Sequence, residues 1–371
     1  MEKKLSLLSS DRDPQSWPTR EPVHALGRFT RRSVLQLMSG AVCAANVGAS
    51  PSGSKNWSSW LVPQNWEKQK DGPVISLGNP GAFDDMHIFA PFVVYEKGLY
   101  SLLYPGSRGT VSERVFRLGL ATSHDGIKFK KAPGGPAFEF GDDITSVVTA
   151  VLLCQTDGTP IREDGKLRMW FTGAELTKRG GKHVLYEATG TALDRWGKPS
   201  PPLLENCYAP TVIKEGSRYR MWYTDVSVRP WKFRHAQSGD GTHWSVTEKP
   251  VMAVDQSWEA HILVYPQVVK ADGLYLMWYG SYWWDNEDAI RWPTTAIGFA
   301  VSNDGLQWHK YEKNPVLRPD ADLPWETHYN TSHSVIRLPD GTWRMWYAAR
   351  TKPPFLNKYF SICTATWKGP S

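Results

Sequence analysis

Arg168-Met169-Trp170-Phe171 returns along the chain as Arg220-Met221-Trp222-Tyr223, Leu276-Met277-Trp278-Tyr279 and Arg344-Met345-Trp346-Tyr347. A weaker copy, Tyr100-Ser101-Leu102-Leu103-Tyr104, comes before them. The Met-Trp pairs fall 52, 56 and 68 residues apart, and the weak copy lies 67 residues before the first. Recurrence at that period marks a repeated supersecondary unit.

Around the phrase, each repeat has one grammar. A short apolar strand comes first: Phe92-Val93-Val94, Val151-Leu152-Leu153, Thr211-Val212-Ile213, Gln267-Val268-Val269 and Ser334-Val335-Ile336. A turn containing Gly98, Gly165, Gly216, Gly273 or Gly341 follows, then the Met-Trp strand. Asp-Gly between β-rich runs is a strong hairpin signal. A third strand ends in Ser-x-Asp-Gly turns such as Ser123-His124-Asp125-Gly126, with Phe129, Trp244 or Trp308 soon after. Repeat two is looser (Leu193-Asp194-Arg195-Trp196), and the last shows only Ser361 to Trp367. Five repeats of short antiparallel strands without helical periodicity predict an all-β, five-bladed β-propeller with four-stranded blades. In that fold the Trp and Tyr of the phrase pack blade against blade.

Composition agrees. Nineteen Trp, fifteen Tyr, 31 Gly and 27 Pro in 371 residues favour aromatic strands joined by many turns. The net charge is +6, and residues 1–49 hold seven Lys/Arg against four Asp/Glu, a net +3. The remainder shows no basic run, which argues against nucleic acid as a partner. Thr30-Arg31-Arg32-Ser33-Val34-Leu35 opens an apolar, small-residue stretch ending at Val47-Gly48-Ala49. This resembles a twin-arginine export signal, and the stretch is too short and weakly apolar for a permanent span. The expected organisation is a signal over 1–49, a lead-in over 50–74 and the propeller over 75–371. The mature chain is expected to be an exported monomer without a membrane span. Cys154, Cys207 and Cys363 remain after cleavage and match no zinc spacing, so a packing role is expected.

The start of each first strand and the end of each second strand should meet on one face, forming a funnel. Before the first strands stand Asp84, Asp85 and His87; Asp142; Glu205; Glu259 and His261; and Glu326, His328 and His333. After the second strands stand Arg108, Glu175, Asp225, Arg229, Trp231, Asp285 and Arg350. Carboxyl pairs, Trp and Arg in one concave site suit sugar chemistry: one carboxyl protonates the leaving oxygen, another activates water, and a third tunes them. Asp84, Asp142, Glu259 and Glu326 share one phase, seven residues before the same first-strand position, as a repeated fold device would. The residues that break the pattern, such as Asp85, Glu205, Asp225 and Asp285, carry more functional weight. No cofactor is required for such chemistry. Four histidines near one funnel suit a structural metal ion in the central channel.

The grammar of Pro-x-Val-Ile, Met-Trp-Tyr and Ser-x-Asp-Gly-x-x-Trp over about 75–368 resembles the five-bladed propeller glycoside hydrolases. These include families 43, 32, 62, 68, 117 and 130, and no single one is matched. The resemblance implies a glycosidase, inverting by family analogy, acting on an oligo- or polysaccharide. It implies catalytic acids at Asp84 or Asp85, at Glu205 or Asp225, and at Glu259, with His261 a rival to Glu259 in the manner of family 117. Arg108, Arg350 and His328 would then position the sugar. Where family 43 sets an Asp directly before the first-strand proline, this chain has Ala90, with Ala209 and Tyr265 at the matching positions. Glycoside phosphorolysis, lyase chemistry and glycan binding without catalysis are the alternatives.

Overall fold

The computed structural model describes residues 56–110, 112–177, 181–259, 262–283, 294–351 and 361–370. Apart from one 3-10 turn (Trp57–Trp60), the described elements are β-strands, paired in antiparallel ladders with one parallel exception. The expected leader falls outside the described residues.

Each repeat pairs its strands in sequence order. Repeat one is Phe92–Glu96, Leu99–Ser107, Arg117–Ser123 and Lys130–Lys131. Repeat two is Ser146–Leu152, Leu167–Ala174, His183–Ala192 and Arg195–Trp196. Repeat three is Cys207–Glu215, Arg218–Asp225, Lys232–Ser238 and Ser245–Val246. Repeat four is Leu263–Ala271, Leu274–Trp283, Thr294–Ser302 and His309–Lys310. Repeat five has Tyr329–Arg337, Trp343–Arg350 and Ser361–Trp367 of its own. Its fourth strand is Glu67–Lys68, from the other end of the chain, paired antiparallel to Ser361–Trp367. The lead-in is therefore part of the last repeat. A parallel bridge between Thr295 and Tyr329 joins repeats four and five into one sheet.

Local chemistry accounts for the hairpins. Lys97-Gly98, Asp164-Gly165 and Asp272-Gly273 all have positive φ at both positions, as a two-residue turn matched to strand twist requires.

The tryptophans fasten neighbouring repeats by a repeated hydrogen bond. Trp170 Nε1 donates to the Gly241 carbonyl at 2.8 Å, Trp222 to Gly305 at 2.7 Å and Trp346 to Gly126 at 2.9 Å. Trp278 faces repeat five, which lacks a Ser-x-Asp-Gly turn, and donates instead to Gln64 Oε1 from the lead-in at 3.0 Å. Repeat one has Leu103 where the others have Trp, and it packs in the same cluster as Leu193 and Trp196 of the looser repeat two. The weak phrase and the loose turn thus share one interface.

The five first strands neighbour one another in cyclic order, one to five and back to one. Ser332 and Ser334 Oγ accept from the Ala90 and Val93 amides, both at 3.0 Å, across the meeting of repeats five and one. Together the first strands line a cavity of about 270 Å³. One loop, Gln155 to Thr159, clasps several repeats at one end of it. The Thr156 carbonyl accepts from the Arg337 amide, Thr156 Oγ1 donates to the Lys270 carbonyl, and the Gly158 carbonyl accepts from the Tyr95 amide. The arrangement is propeller-like.

Candidate functional site

The first strands of repeats two to five carry a register shift near the funnel end. Four residues at this level of the first strands lie in the left-handed region: Ala90 (φ 42), Ala209 (φ 50), Tyr265 (φ 55) and Ser332 (φ 33). An extra residue at a bulge re-aims the side chains beside it. The bulges thus set the direction of the side chains around the cavity mouth.

Three of the expected acids are held in one repeated cage. Asp84 accepts from Tyr104 Oη at 2.9 Å and Lys131 Nζ at 2.5 Å. Glu259 accepts from Tyr279 Oη and Lys310 Nζ, both at 2.7 Å. Glu326 accepts from Tyr347 Oη at 2.7 Å and pairs with Lys68. In each case the tyrosine ends the Met-Trp-Tyr phrase, or its weak copy, and the lysine closes the fourth strand. Burial, helped by the facing carboxylate, pushes the Tyr104 and Tyr279 phenols well above their ordinary range, so they act as donors. Repeat two has Phe171 in place of the tyrosine. Its acid, Asp142, caps a turn through the Ile144 and Thr145 amides.

The other candidates each have partners of their own. Glu205 is exposed and paired with Lys182 at 3.0 Å, because a short Leu204–Glu205 strand runs along the third strand of repeat two before the chain turns into repeat three. Asp225 is buried against Arg234 Nε at 2.7 Å and caps Ser227, and these contacts outweigh burial and hold its carboxyl below the usual range. Asp85 Oδ2 accepts from the Gly81 amide at 2.7 Å, while its Oδ1 is buried without a hydrogen-bond partner. Among the described residues, no hydrogen bond or ion pair joins any two of Asp84, Asp85, Glu205, Asp225 and Glu259. His261 and Asp285 lie outside the described residues.

Of the expected binding residues, His87 is buried and stacks on Phe116. His333 is buried and lines the cavity. Arg350 is buried with its guanidinium 3.7 Å from the Tyr329 ring centre, and His328 stacks on the same tyrosine. Arg229 lies over the Trp231 ring at 4.9 Å. Glu175 is half-buried and Arg108 is exposed.

No protein-family model matches the chain. An uncharacterized protein of Mycobacterium tuberculosis is 29% identical over 150 residues, 38% of this chain and 46% of that protein. The chain thus spans about half the length of the relatives it matches. Among solved structures, a glycoside hydrolase superposes with a TM-score of 0.64 at 17% identity, covering 84% of this chain and 93% of that one. A glycosyl hydrolase from Bacteroides ovatus gives 0.63 at 15% identity, covering 84% and 96%. A structure from the GH130 family, described as mannoside phosphorylases containing glycoside hydrolases that target β-1,2 mannosidic linkages in Candida mannan, gives 0.61 at 16% identity, covering 82% and 94%. The fold is that of the propeller glycosidases.

The described residues also include side chains that the sequence pattern did not single out. Tyr208 and Tyr265 share a 2.7 Å hydroxyl contact, His183 meets the Tyr208 ring edge-on at 5.1 Å, and Arg114 is buried in the loop before Phe116. Tyr265 was visible as the one bulky residue directly before a first-strand proline. Arg114 gave no signal, since it lies in a loop outside the repeated phrases.

Burial lowers the imidazoles of His183, His235 and His333 to about 4. The nearby Arg220 adds to the effect at His235, whose Nε2 accepts from Arg220 Nε at 3.0 Å and so needs the neutral ring. Folded pKa values below the unfolded value of 6.5 mean that the unfolded chain binds more protons between pH 6.5 and 4. Stability is therefore expected to fall as pH drops through that window. Chemical denaturation at stepped pH checks this, and His235→Gln should flatten the slope.

Proposed function

We propose that this chain is an exported five-bladed β-propeller enzyme that cleaves glycosidic bonds at the mouth of its central channel. The cyclic order of five first strands around one cavity supports the blade count, and the resemblance of Thr30-Arg31-Arg32-Ser33-Val34-Leu35 and the apolar stretch after it to a twin-arginine signal supports export. The mature enzyme is a monomer that binds its carbohydrate in the funnel.

The observation that carries the catalytic reading is the state of the carboxylates. Asp84 and Glu259 are bound to a tyrosine and a lysine, and Asp225 to an arginine. Asp85 keeps one carboxylate oxygen without a partner. Of these four acids Asp85 alone has no ion pair among the described residues, and to it we assign acceptance of a proton from water, as inversion of configuration demands. Protonation of the leaving oxygen falls to His261, because both Glu259 oxygens are already hydrogen-bonded. Asp85→Asn, tested on a panel of nitrophenyl glycosides, should cut turnover at least about a hundredfold with an unchanged melting profile. Undiminished turnover would sink the assignment. Assaying free sugar beside sugar phosphate separates hydrolysis from phosphorolysis.

The caged acids also favour a second reading, a propeller that binds glycans without cleaving them. Tight binding of a glycan that stays intact on prolonged incubation would decide for it.

A further inference from the structure

A left-handed residue at the start of the first strand is a device of the fold, and small residues serve it: Ala90, Ala209 and Ser332 hold that position in repeats one, three and five. Tyr265 holds it in repeat four with φ 55, a region that bulky L-residues rarely adopt. That position needs no aromatic side chain, so the tyrosine calls for another explanation. Its hydroxyl reaches across to repeat three and lies 2.7 Å from that of Tyr208. Tyr265 lines the central cavity, and both rings are half-buried. The Tyr208 ring is flanked by Trp231 at 6.3 Å, and Trp231 in turn lies beneath the Arg229 guanidinium.

We propose that Tyr208 and Tyr265 together read a vicinal diol on a pyranose ring that stacks against Trp231. This rests on the carbohydrate reading above and adds which part of the sugar is recognised. Two phenol oxygens in mutual hydrogen-bond contact stand at nearly the spacing of gauche neighbouring hydroxyls on a sugar ring. A diol laid across the pair meets one phenol with each hydroxyl, giving a closed set of four oxygens in which each hydroxyl both donates and accepts. The pair is neutral, so it selects hydroxyl pattern and not charge. Trp231 is half-buried with Arg229 over one ring face, and the C–H face of the pyranose stacks on the opposite one in this proposal. The left-handed backbone at Tyr265 delivers the phenol to the mouth from a strand position that small side chains hold in the other repeats.

The test uses methyl glycosides of glucose, galactose and mannose with their 2-, 3- and 4-deoxy analogues, read by tryptophan fluorescence on the whole folded protein. At least one parent glycoside should bind, and two of its adjacent hydroxyls should each matter by about tenfold. In Tyr265→Phe the parent should bind about tenfold more weakly, while the deoxy analogue should bind as it does to the native protein. Tyr208→Phe should behave alike, and the double variant should be little worse than either single one. A merely structural tyrosine would weaken parent and deoxy sugars equally, and that result overturns the proposal. Failure of every parent glycoside to bind the native protein overturns it too. Turnover of nitrophenyl glycosides by that same protein would show that the wider enzyme reading survives.

Discussion

Glu259→Ala should destabilise the protein by about 3–5 kcal/mol, the cost of stripping one partner from a buried ion pair. Its side chain is 0% exposed and that of Lys310 is 8% exposed. Removing the carboxylate strands the Lys310 ammonium and the Tyr279 hydroxyl in the core of repeat four. It also removes the acceptor of the Asp255 and Gln256 amides, at 2.9 and 3.2 Å. Lys310 retains Asp255 and the Ala253 carbonyl, which keeps the loss within the lower part of that range. Glu259→Gln should recover part of the stability, since an amide oxygen still accepts from Tyr279. Urea denaturation of the three proteins measures this. A Glu259→Ala protein as stable as the native one would show that the cage is not a fastening. The comparison also separates structure from chemistry: an activity loss in Glu259→Gln larger than its stability loss would restore Glu259 as a catalytic acid.

Trp222→Ala is expected to cost about 3–5 kcal/mol, the range for removing a large buried aromatic. Trp222 is fully buried between repeats three and four. It donates to Gly305, packs edge-on against Trp308 and lies beneath the Arg220 guanidinium at 4.9 Å. The space cannot close easily, because Arg220 is fixed by the Tyr275 hydroxyl at 2.6 Å and the Asp304 carbonyl at 2.8 Å. Trp222→Phe keeps much of the buried area but leaves the Gly305 carbonyl without its donor, and should cost less. Hydrogen exchange should show the loss concentrated in repeats three and four. An even loss over all repeats would mean that the interfaces do not open separately.

The fold was legible because its fastening is written into the repeated phrase itself. Met-Trp-Tyr shows three successive positions with three duties: Met in the cluster that holds the preceding repeat's Trp in repeats three to five, Trp toward the next repeat or the lead-in, and, in repeats four and five, Tyr toward the acid seven before the first-strand position. The closure of repeat five was also legible, though less plainly. Trp66-Glu67-Lys68 matches Trp308-His309-Lys310, and both lysines close a cage. The two motifs lie 242 residues apart, so a reading in sequence order passes over the match. The site was less legible for a physical reason. A carboxylate before a strand looks the same whether it faces a funnel or a tyrosine one strand away. Only the pairing partner, twenty residues or more downstream for Asp84, Glu259 and Glu326, distinguishes the two. Tyr265 needed the backbone as well, since its left-handed conformation is what makes its size significant.

The pairing of Glu67–Lys68 with Ser361–Trp367 sets a rule of timing. The lysine that neutralises Glu326 leaves the ribosome among the earliest described residues, and its partner strand among the last. Until Ser361–Trp367 has emerged, the ladder that sets Lys68 beside Glu326 and the Gln64 acceptor beside Trp278 cannot form. The earlier repeats can dock on one another as they emerge, but the ring cannot be sealed. A nascent chain therefore carries one unlatched edge until Ser361–Trp367 emerges, and closing that edge is expected to be the last docking step among the described strands.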